Sequence, residues 1–348
     1  MKLKQLALAF GCALAAIAPM TAIGQDVREP IPGRTQPVEN TSGKTIKIAL
    51  ISFPESNEFF SAVKVGSDGA RDVLAGYNAV VDYVTVNEFT QDAVNAAGRA
   101  TMLQGYDAMA FLPLDNGACP LIKEAVAAGI KTAVFITTAD CAEESGALFF
   151  HGEDLADAWG KKAVPKLIEM INADPRWAGK ECRAGVITGA FSVPTHETMR
   201  LAILDGLKGT NVTPVSDGVE IEQDLSKVGP AARTYLTGNP EDLCALIVNI
   251  GDAGAAAAAL TDEQAKQVYL LSADFTLGGV EQMRKGKQDL LLGQDPFGEA
   301  YDTAILLYNA VVTGEDPGFY QPVTVSLMTP DNIDELMKAQ AEGTAPTP

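Results

Sequence analysis

The feature that most constrains the fold is a repeated alternation of short apolar runs, rich in β-branched residues, with longer stretches of helical periodicity. The first unit is residues 47–60, KIALISFPESNEFF: an apolar run, a polar loop with a proline, and two phenylalanines that open a helical pattern. Almost wholly apolar strands separated by helices predict a parallel sheet covered on both faces. The sequence therefore predicts an α/β fold built from Rossmann-like units.

The alternation runs along the chain twice, which predicts two lobes. A long helical stretch at residues 154–171 separates the two series, and the last strand, helix and strand are too few for a third domain. We expect this last part to complete both sheets, so that the lobes are joined by a multi-crossover hinge. The predicted strands are 47–52, 80–86, 108–112, 132–136 and 147–151, then 182–188, 215–221, 245–249 and 268–272, and finally 290–292 and 323–327. The predicted lobes are residues 45–145 with about 295–320, and 146–294 with about 321–330.

The N-terminus has the charged, apolar and small-residue order of a secretory signal. Lys2 and Lys4 precede an apolar core at residues 6–17, and Ala22 and Gly24 mark the exit. The apolar core is shorter than the roughly 20 residues that a membrane-spanning helix needs. We therefore expect export to the periplasm, with residues 1–24 removed, residues 25–44 as a flexible leader and residues 331–348 as a tail.

The charge balance argues against a nucleic-acid-binding surface. The formal net charge is −19, and removal of the predicted signal, which carries two lysines and no acidic residue, changes it to −21. A surface this acidic repels phosphate backbones. Solubility is the simplest explanation of the acidity, and we expect a monomer.

Four cysteines follow the predicted signal, and an even number in an exported chain favours disulfides. Four cysteines allow three connectivities, which position helps to separate. Cys119 and Cys141 each follow a predicted strand, whereas Cys182 and Cys244 each begin one. This favours pairing Cys119 with Cys141 and Cys182 with Cys244, and buried free thiols in at least one pair remain the alternative.

Catalytic chemistry has little support in the sequence. His151 and His196 are the only histidines, and neither lies in a nucleophile-elbow, HExxH or metal-spaced pattern. His151 ends an apolar strand, which favours a structural role, whereas His196 fits a cleft-facing position and plain solvent exposure equally well. Glu197 and Arg200 have the spacing of a surface helical ion pair. We find no cofactor fingerprint and expect a protein that is not an enzyme.

Polar side chains recur where predicted strands end. Carboxylates and amides at this edge of open α/β sheets can hydrogen-bond a ligand's hydroxyl groups. Phe59 and Phe60 add flat apolar faces. Each residue alone is more often a cap or turn residue, but the recurrence in both lobes favours a binding cleft. The strand-end residues are Asn57, Asp115, Thr137, Thr138, Asn249, Asp252, Asp274 and Gln294.

Several short motifs occur together in a characteristic order. They are the loop with Asn57, Phe59 and Phe60, the turn at residues 111–115, the segment 127–130 before a strand, the pairs Gln223-Asp224, Gly251-Asp252 and Ala273-Asp274, and Gln294. In these motifs, over about residues 45–327, the chain resembles the type I periplasmic solute-binding proteins, in particular the ribose-binding-protein-like components of sugar ABC transporters. Glu58 stands where that family has a proline.

The resemblance implies that a small polar ligand, a sugar or polyol, binds between the lobes by hinge closure and is delivered to an ABC permease. It implies the binding residues Asn57, Phe59, Phe60, Asp115, Thr137, Thr138, Glu197, Arg200, Gln223, Asn249, Asp252, Asp274 and Gln294. The family's Asp-Arg pair after the fourth strand is not present, Gly251 replaces an asparagine and Gln223 an aromatic. These departures favour a polyol or another small polar ligand over a pyranose.

Two other functions fit parts of the sequence. A periplasmic sensor of the same fold would pass a signal, such as a sugar-like autoinducer, to a membrane receptor. An exported hydrolase would need a nucleophile or metal cluster, for which the sequence offers no pattern. Permease and ATPase genes beside this one would favour transport, whereas a histidine kinase gene would favour sensing.

Overall fold

The computed structural model describes residues 28–222, 224–238, 241–251 and 253–343. The predicted signal segment lies outside the described residues, as do the predicted site residues Gln223 and Asp252. Within the described part of the chain, no helix is long and apolar enough to cross a membrane.

Strands and helices alternate along the described chain. The strands are β1 Ile46–Ser52, β2 Ala79–Thr85, β3 Ala108–Phe111, β4 Lys131–Ile136, β5 Phe150–Gly152, β6 Cys182–Thr188, β7 Val212–Pro214, β8 Val219–Glu220, β9 Leu243–Val248, β10 Tyr269–Ala273, β11 Leu290–Gly293, β12 Tyr320–Pro322 and β13 Ser326–Met328. The helices are α1 Glu58–Leu74, α2 Gln91–Met102, α3 Cys119–Ala127, α4 Leu155–Asp157, α5 Val164–Ala173, α6 Pro194–Leu207, α7 Val228–Gly238, α8 Ala253–Ala258, α9 Asp262–Ala265, α10 Leu277–Arg284, α11 Pro296–Thr313 and α12 Ile333–Glu342. A π-helical segment, Ala158–Ala163, joins α4 to α5.

Two separate sheets define the two lobes. The first has the order β12-β5-β4-β3-β1-β2 and is parallel throughout. The second has the order β13-β11-β10-β9-β6-β7, with β8 also beside β6 and only β13 antiparallel among these strands. Buried apolar strands such as β9, with all six residues buried, lie between helices on both faces. The predicted fold class is confirmed.

The chain passes between the sheets three times, and these three crossovers form the hinge. They follow β5, β11 and β12, because each of these strands is succeeded by elements of the other lobe. Helix α11 packs into the core of the first lobe, beneath the sheet that contains β1. The predicted multi-crossover hinge is therefore present.

The first and third crossings lie a few residues later than we expected, whereas the second lies between β11 and α11, where it was predicted. Strand β5 pairs with β4, so the chain leaves the first sheet after Gly152 and not at residue 145. Strand β12 also pairs with β5, which keeps residues 320–322 in the first sheet. The predicted strand 215–221 overlaps only β8, and the predicted strand 323–327 overlaps only β13, because β7 and β12 end just before these ranges. A bend at residues 215–217 and Gly218, whose φ is +122°, separate β7 from β8.

The segment predicted as a flexible leader is packed against the first lobe. The Arg34 guanidinium is buried and pairs with the carboxylates of Asp295 and Asp302. Its Nε donates to the carbonyl oxygen of Gly343 at 3.0 Å, and the Thr35 amide donates to Asp302 at 2.7 Å. The sequence of this segment does not predict that it is packed, because the partners of Arg34 lie about 260 residues away in sequence.

The segment predicted as a tail contains helix α12. Its residues Ile333 and Leu336 are buried against Val280, Met283 and Leu291 of the second lobe. The tail assignment was therefore wrong for residues 333–342. Ile333 and Leu336 are the two buried residues of this helix, and an apolar face this short gives little helical periodicity in the sequence.

The structure pairs Cys119 with Cys141 and Cys182 with Cys244, as predicted. The first disulfide joins the start of α3 to the loop after β4, and the second joins the first residue of β6 to β9. Each disulfide thus lies within a single lobe.

Candidate binding cleft

A cavity of about 350 Å³ lies between the lobes, at the carboxyl ends of strands from both sheets. This is where open α/β sheets place ligands. Seven predicted residues line it: Asn57, Phe59, Phe60, Thr137, Asn249, Asp274 and Gln294. The cleft therefore brings together residues that are more than 200 positions apart in sequence.

Aromatic rings form the first-lobe wall of the cleft. Phe53 lies 5.2 Å from Phe60 and 4.5 Å from Phe89, measured between ring centroids, and Phe59 lies edge-on to Phe60 at 5.3 Å. Phe53 follows β1, while Phe89 lies in the loop after β2. We did not predict Phe53 or Phe89, although the strand-end rule that found Asn57 would have found them. The rings offer a broad apolar surface to the carbon face of a ligand.

Asn57 serves the fold as well as the cleft. It is the N-cap of α1, and its side-chain oxygen accepts the Phe59 amide hydrogen at 2.9 Å. Its oxygen is thus engaged, and its amide nitrogen is the group it can offer to a ligand. Thr137, which also lines the cavity, donates its hydroxyl to the carbonyl oxygen of Pro113.

Asp274 is the central polar group of the second-lobe wall. Burial raises the pKa of its carboxyl to about 7. Its Oδ1 is buried and has no hydrogen-bond partner among the described residues. A Cβ on Gly251 would lie 2.5 Å from its Oδ2, so a residue without a side chain is needed there. A buried acceptor without a donor costs about 1–3 kcal/mol, which a ligand hydroxyl can recover.

Asn249 and His196 form a second polar group on the same wall. The Asn249 side chain donates to the carbonyl oxygen of His196 at 3.2 Å, while its own buried oxygen has no partner among the described residues. The Ala190 amide donates to Nδ1 of His196 at 3.2 Å, and burial lowers the pKa of this imidazole to about 4. His196 is therefore neutral at pH 7, with Nε2 carrying the hydrogen. Of the two positions left open for it, the structure shows the cleft-facing one.

Both lobes place a strained residue at the same point of their sheets. Ile136 ends β4 with φ of +68°, and Asp274 follows β10 with φ of +63°. A β-branched residue with positive φ is unusual, and such strain concentrates at functional sites. Both residues line the cavity, Ile136 at the end of β4 and Asp274 at the end of β10. These two strands hold the same place in the strand orders of their sheets.

Four predicted site residues are not brought to the cavity. Glu197 and Arg200 bind one another through two hydrogen bonds of 2.7 and 2.6 Å, and Arg200 also donates to the carbonyl oxygen of Asp217. The surface ion pair considered for them is what the structure shows. Asp115 accepts the Gly117 amide hydrogen in a turn, and the Thr138 hydroxyl donates to the next carbonyl.

The described residues of the cleft include few charges and no cluster that could hold a metal ion. Asp274 is the only acidic or basic side chain that lines it among the described residues, apart from the neutral His196. Across residues 28–343, leaving out the undescribed positions, no group of three or more His, Cys, Asp or Glu residues could hold a metal ion. The site suits an uncharged ligand with hydroxyl donors and an apolar face.

Comparison with known proteins agrees with this geometry. The family model of the periplasmic binding protein domain matches residues 48–316. A search of curated protein sequences found no match.

Solved structures share the fold at low sequence identity. A galactofuranose binding protein is 17% identical with a TM-score of 0.74, covering 86% of this chain and 99% of its own. A periplasmic ribose ABC transporter structure from Conexibacter woesei DSM 14684 is 17% identical with a TM-score of 0.74, covering 88% and 99%. An ABC transporter solute-binding protein from Burkholderia graminis C4D1M, in complex with D-arabinose, is 18% identical with a TM-score of 0.70, covering 84% and 98%. The chain therefore belongs to the periplasmic binding protein domain family and has its type I, two-lobed α/β fold.

Proposed function

We propose that this protein is the solute-binding component of an ABC transporter. It captures a small uncharged polar ligand, a sugar or polyol, in the periplasm and delivers it to a membrane permease. The observation that carries this proposal is the cleft itself, in which an aromatic wall from one lobe faces unpartnered oxygen atoms from the other. The structures it resembles include one with bound D-arabinose.

Ligand binding closes the lobes because contacts from both walls are made together only in the closed state. The ligand's carbon face packs on the Phe59 and Phe60 rings, while its hydroxyls donate to Asp274 and Asn249. Gln294, directly after β11, contacts the ligand beside the second crossover. Part of the free energy of these contacts stabilises the closed hinge. The closed state is the one that docks on the permease.

Phe89 and His196 join the proposed binding residues because they line the same cavity. Glu197 and Arg200 are left out, since each is the other's partner. Asp115 and Thr138 are also left out. Gln223 and Asp252 remain predictions from the sequence.

A thermal-shift screen of residues 25–348 against neutral sugars, polyols and small acids tests the proposal. We expect stabilisation by at least one neutral sugar or polyol and none by the acids, because no basic side chain lines the described cleft. The Asp274→Ala variant should lose the shift, whereas Asp115→Ala, at a turn outside the cavity, should keep it. Stabilisation only by anionic ligands, or an unchanged shift in Asp274→Ala, would contradict the assignment.

A further inference from the structure

Two glutamates are buried in the hinge, and the charge of Glu153 acts on Glu299. Glu153 follows β5 on the first crossover, and Glu299 lies in the first turn of α11, just after the second. Their exposed fractions are 3% and 0%. None of their four carboxylate oxygens has a hydrogen-bond partner among the described residues. Such a pair is costly, since an unpaired buried carboxylate loses its hydration without replacement.

The charges around the pair do not compensate it. The charges of Asp274 and Asp295 both act on the two glutamates, and the charge of Glu153 acts on Tyr320 of β12. Among the described residues, Lys162 is the one cation that acts on Glu153, and it is half exposed and already close to Asp157.

A second ring of groups surrounds Asp295. Arg34 is committed to Asp295 and Asp302, and His151 is buried with a pKa lowered by that burial. The Arg34 charge, the only positive charge among these described groups, is therefore already neutralised by two carboxylates. The hinge core holds an excess of acidic groups.

Burial, and then the neighbouring carboxylates, raise the pKa of Glu153 and of Glu299 well above the ordinary range. Two like charges in one buried site cannot both ionise at ordinary pH, so carboxyl pairs of this kind share a proton. A shared proton also satisfies one oxygen on each side, because a protonated carboxyl is a hydrogen-bond donor.

We propose that Glu153 and Glu299 form a proton-binding pair that holds the first crossover against α11, so that the hinge geometry depends on pH. At neutral pH the pair keeps at least one proton and joins the two segments. Release of that proton to solvent leaves two repelling carboxylates between segments that set the angle of the lobes. Asp274, whose charge acts on both glutamates, carries this linkage to the cleft.

The pair goes beyond the proposed function and needs no ligand for its test. The proton-binding pair rests on the proposed function in one respect, because the hinge that contains the pair is also the hinge that closes the cleft. A failed ligand screen would therefore leave the result below unaffected, and a failure here would leave the ligand assignment in place.

Denaturant unfolding from about pH 5 to about pH 9 provides the first measurement, on the wild type, Glu153→Gln and Glu299→Gln. Folded-state pKa values above those of the unfolded chain mean that stability is present at low pH and lost as pH rises. The wild-type unfolding constant should rise by up to about tenfold per pH unit for each proton released. Each glutamine variant should flatten this slope, and the part that remains comes from the other glutamate and from Asp274 and Asp289, whose pKa values burial also raises. The control Glu263→Gln, at an exposed surface pair, should keep the wild-type slope.

Infrared spectra and small-angle X-ray scattering supply two further measurements. The two glutamates would add no pH-dependent change to either measurement if they had only a structural role. The wild type should show a protonated-carboxyl band at neutral pH that is weaker in the double glutamine variant, where Asp274 still contributes. The radius of gyration of the wild type should increase as pH rises, and that of the double variant should not. Equal slopes in all variants, an equally strong band in the wild type and the double variant, or scattering that is independent of pH would each overturn the proposal. If one glutamine variant fails to fold, the slope and the band of the other variant, compared with the wild type, still decide it.

Discussion

At the scale of single residues, Gly251 shows how a missing side chain shapes the cleft. The family that the sequence resembles has an asparagine at this position. Here a Cβ would lie 2.5 Å from the Asp274 carboxylate, closer than real contacts allow. The glycine thus permits Asp274 to adopt the position in which its other oxygen is buried and unpartnered.

The substitution Gly251→Ala should therefore displace the Asp274 carboxylate. We expect the ligand affinity to fall about fivefold or more and the ligand-induced thermal shift to fall with it, since a lost hydrogen bond of this kind is worth about 1 kcal/mol or more. The control is Gly238→Ala at the end of α7, where an added Cβ meets nothing within 4 Å. A full shift in Gly251→Ala would show that Asp274 does not need this space.

Site residues were predictable from sequence where a strand end fixes their position. Asn57, Asn249 and Asp274 were found in this way. Glu197 and Arg200 were assigned to the site from the resemblance, but in the structure they pair with one another within α6 and do not line the cavity. The sequence shows that two side chains are near one another, and it does not show which of them faces inward.

At the scale of elements, the N-terminal segment is fastened by one arginine. Replacing Arg34 with Met leaves Asp295 and Asp302 buried without their cation. Removal of one partner from a buried ion pair costs about 3–5 kcal/mol. We expect the midpoint of denaturant unfolding to fall accordingly. Arg28→Met, at an exposed side chain of the same segment, is the control and should have little effect.

A hydrogen bond joins helices α1 and α10, which belong to different lobes. The Leu277 amide at the start of α10 donates to Glu58 Oε2 at 2.8 Å, across 219 residues of sequence. A carboxylate at a helix N-terminus interacts favourably with the free amides and the helix dipole. Glu58 follows Asn57 and precedes Phe59, so this contact lies beside the aromatic wall of the cleft.

The variant Glu58→Ala should weaken ligand binding about two- to fivefold without direct loss of a ligand contact, because the exposed dipole interaction is worth about 0.3–1 kcal/mol. The effect should shrink at high salt. Isothermal titration with the ligand found in the screen measures it, with the exposed Glu55→Ala as control. Equal affinity in both variants at low salt would show that the contact does not contribute to closure.

The elements themselves were largely predictable, because buried parallel strands are continuous apolar runs. The prediction matched β6 residue for residue and most other strands to within about two residues. It failed where local pattern carries no signal. Strand β12 ends with the exposed residue Pro322 at a sheet edge, and the segment around Arg34 has no periodicity at all.

At the scale of the whole molecule, one disulfide braces each lobe. The Cys182–Cys244 bond closes a loop of 62 residues and the Cys119–Cys141 bond one of 22. Loop-closure entropy predicts a loss of about 4 kcal/mol for the first and about 3 kcal/mol for the second when each pair is changed to serine. Denaturant unfolding of the two double-serine variants would measure this order, and the reverse order would contradict the entropic account.

Lobe number and the repeated crossing of the hinge followed from the alternation of strands and helices. The points of crossing did not, because β5 and β12 are short and either sheet could have accepted them. Only their pairing with each other and with β4 shows where they belong. Such long-range pairing is not encoded in any local pattern.

The bond from Arg34 to the carbonyl of Gly343 brings residues from the two ends of the described chain together at one place. A short linker between these segments would close the backbone into a ring. The ring could then be opened at an exposed turn such as Gly209, where no neighbour lies within 4 Å of an added Cβ. Circular permutation succeeds at sites of this kind. New chain ends placed on the second lobe would offer attachment points for a fluorescent reporter of lobe movement.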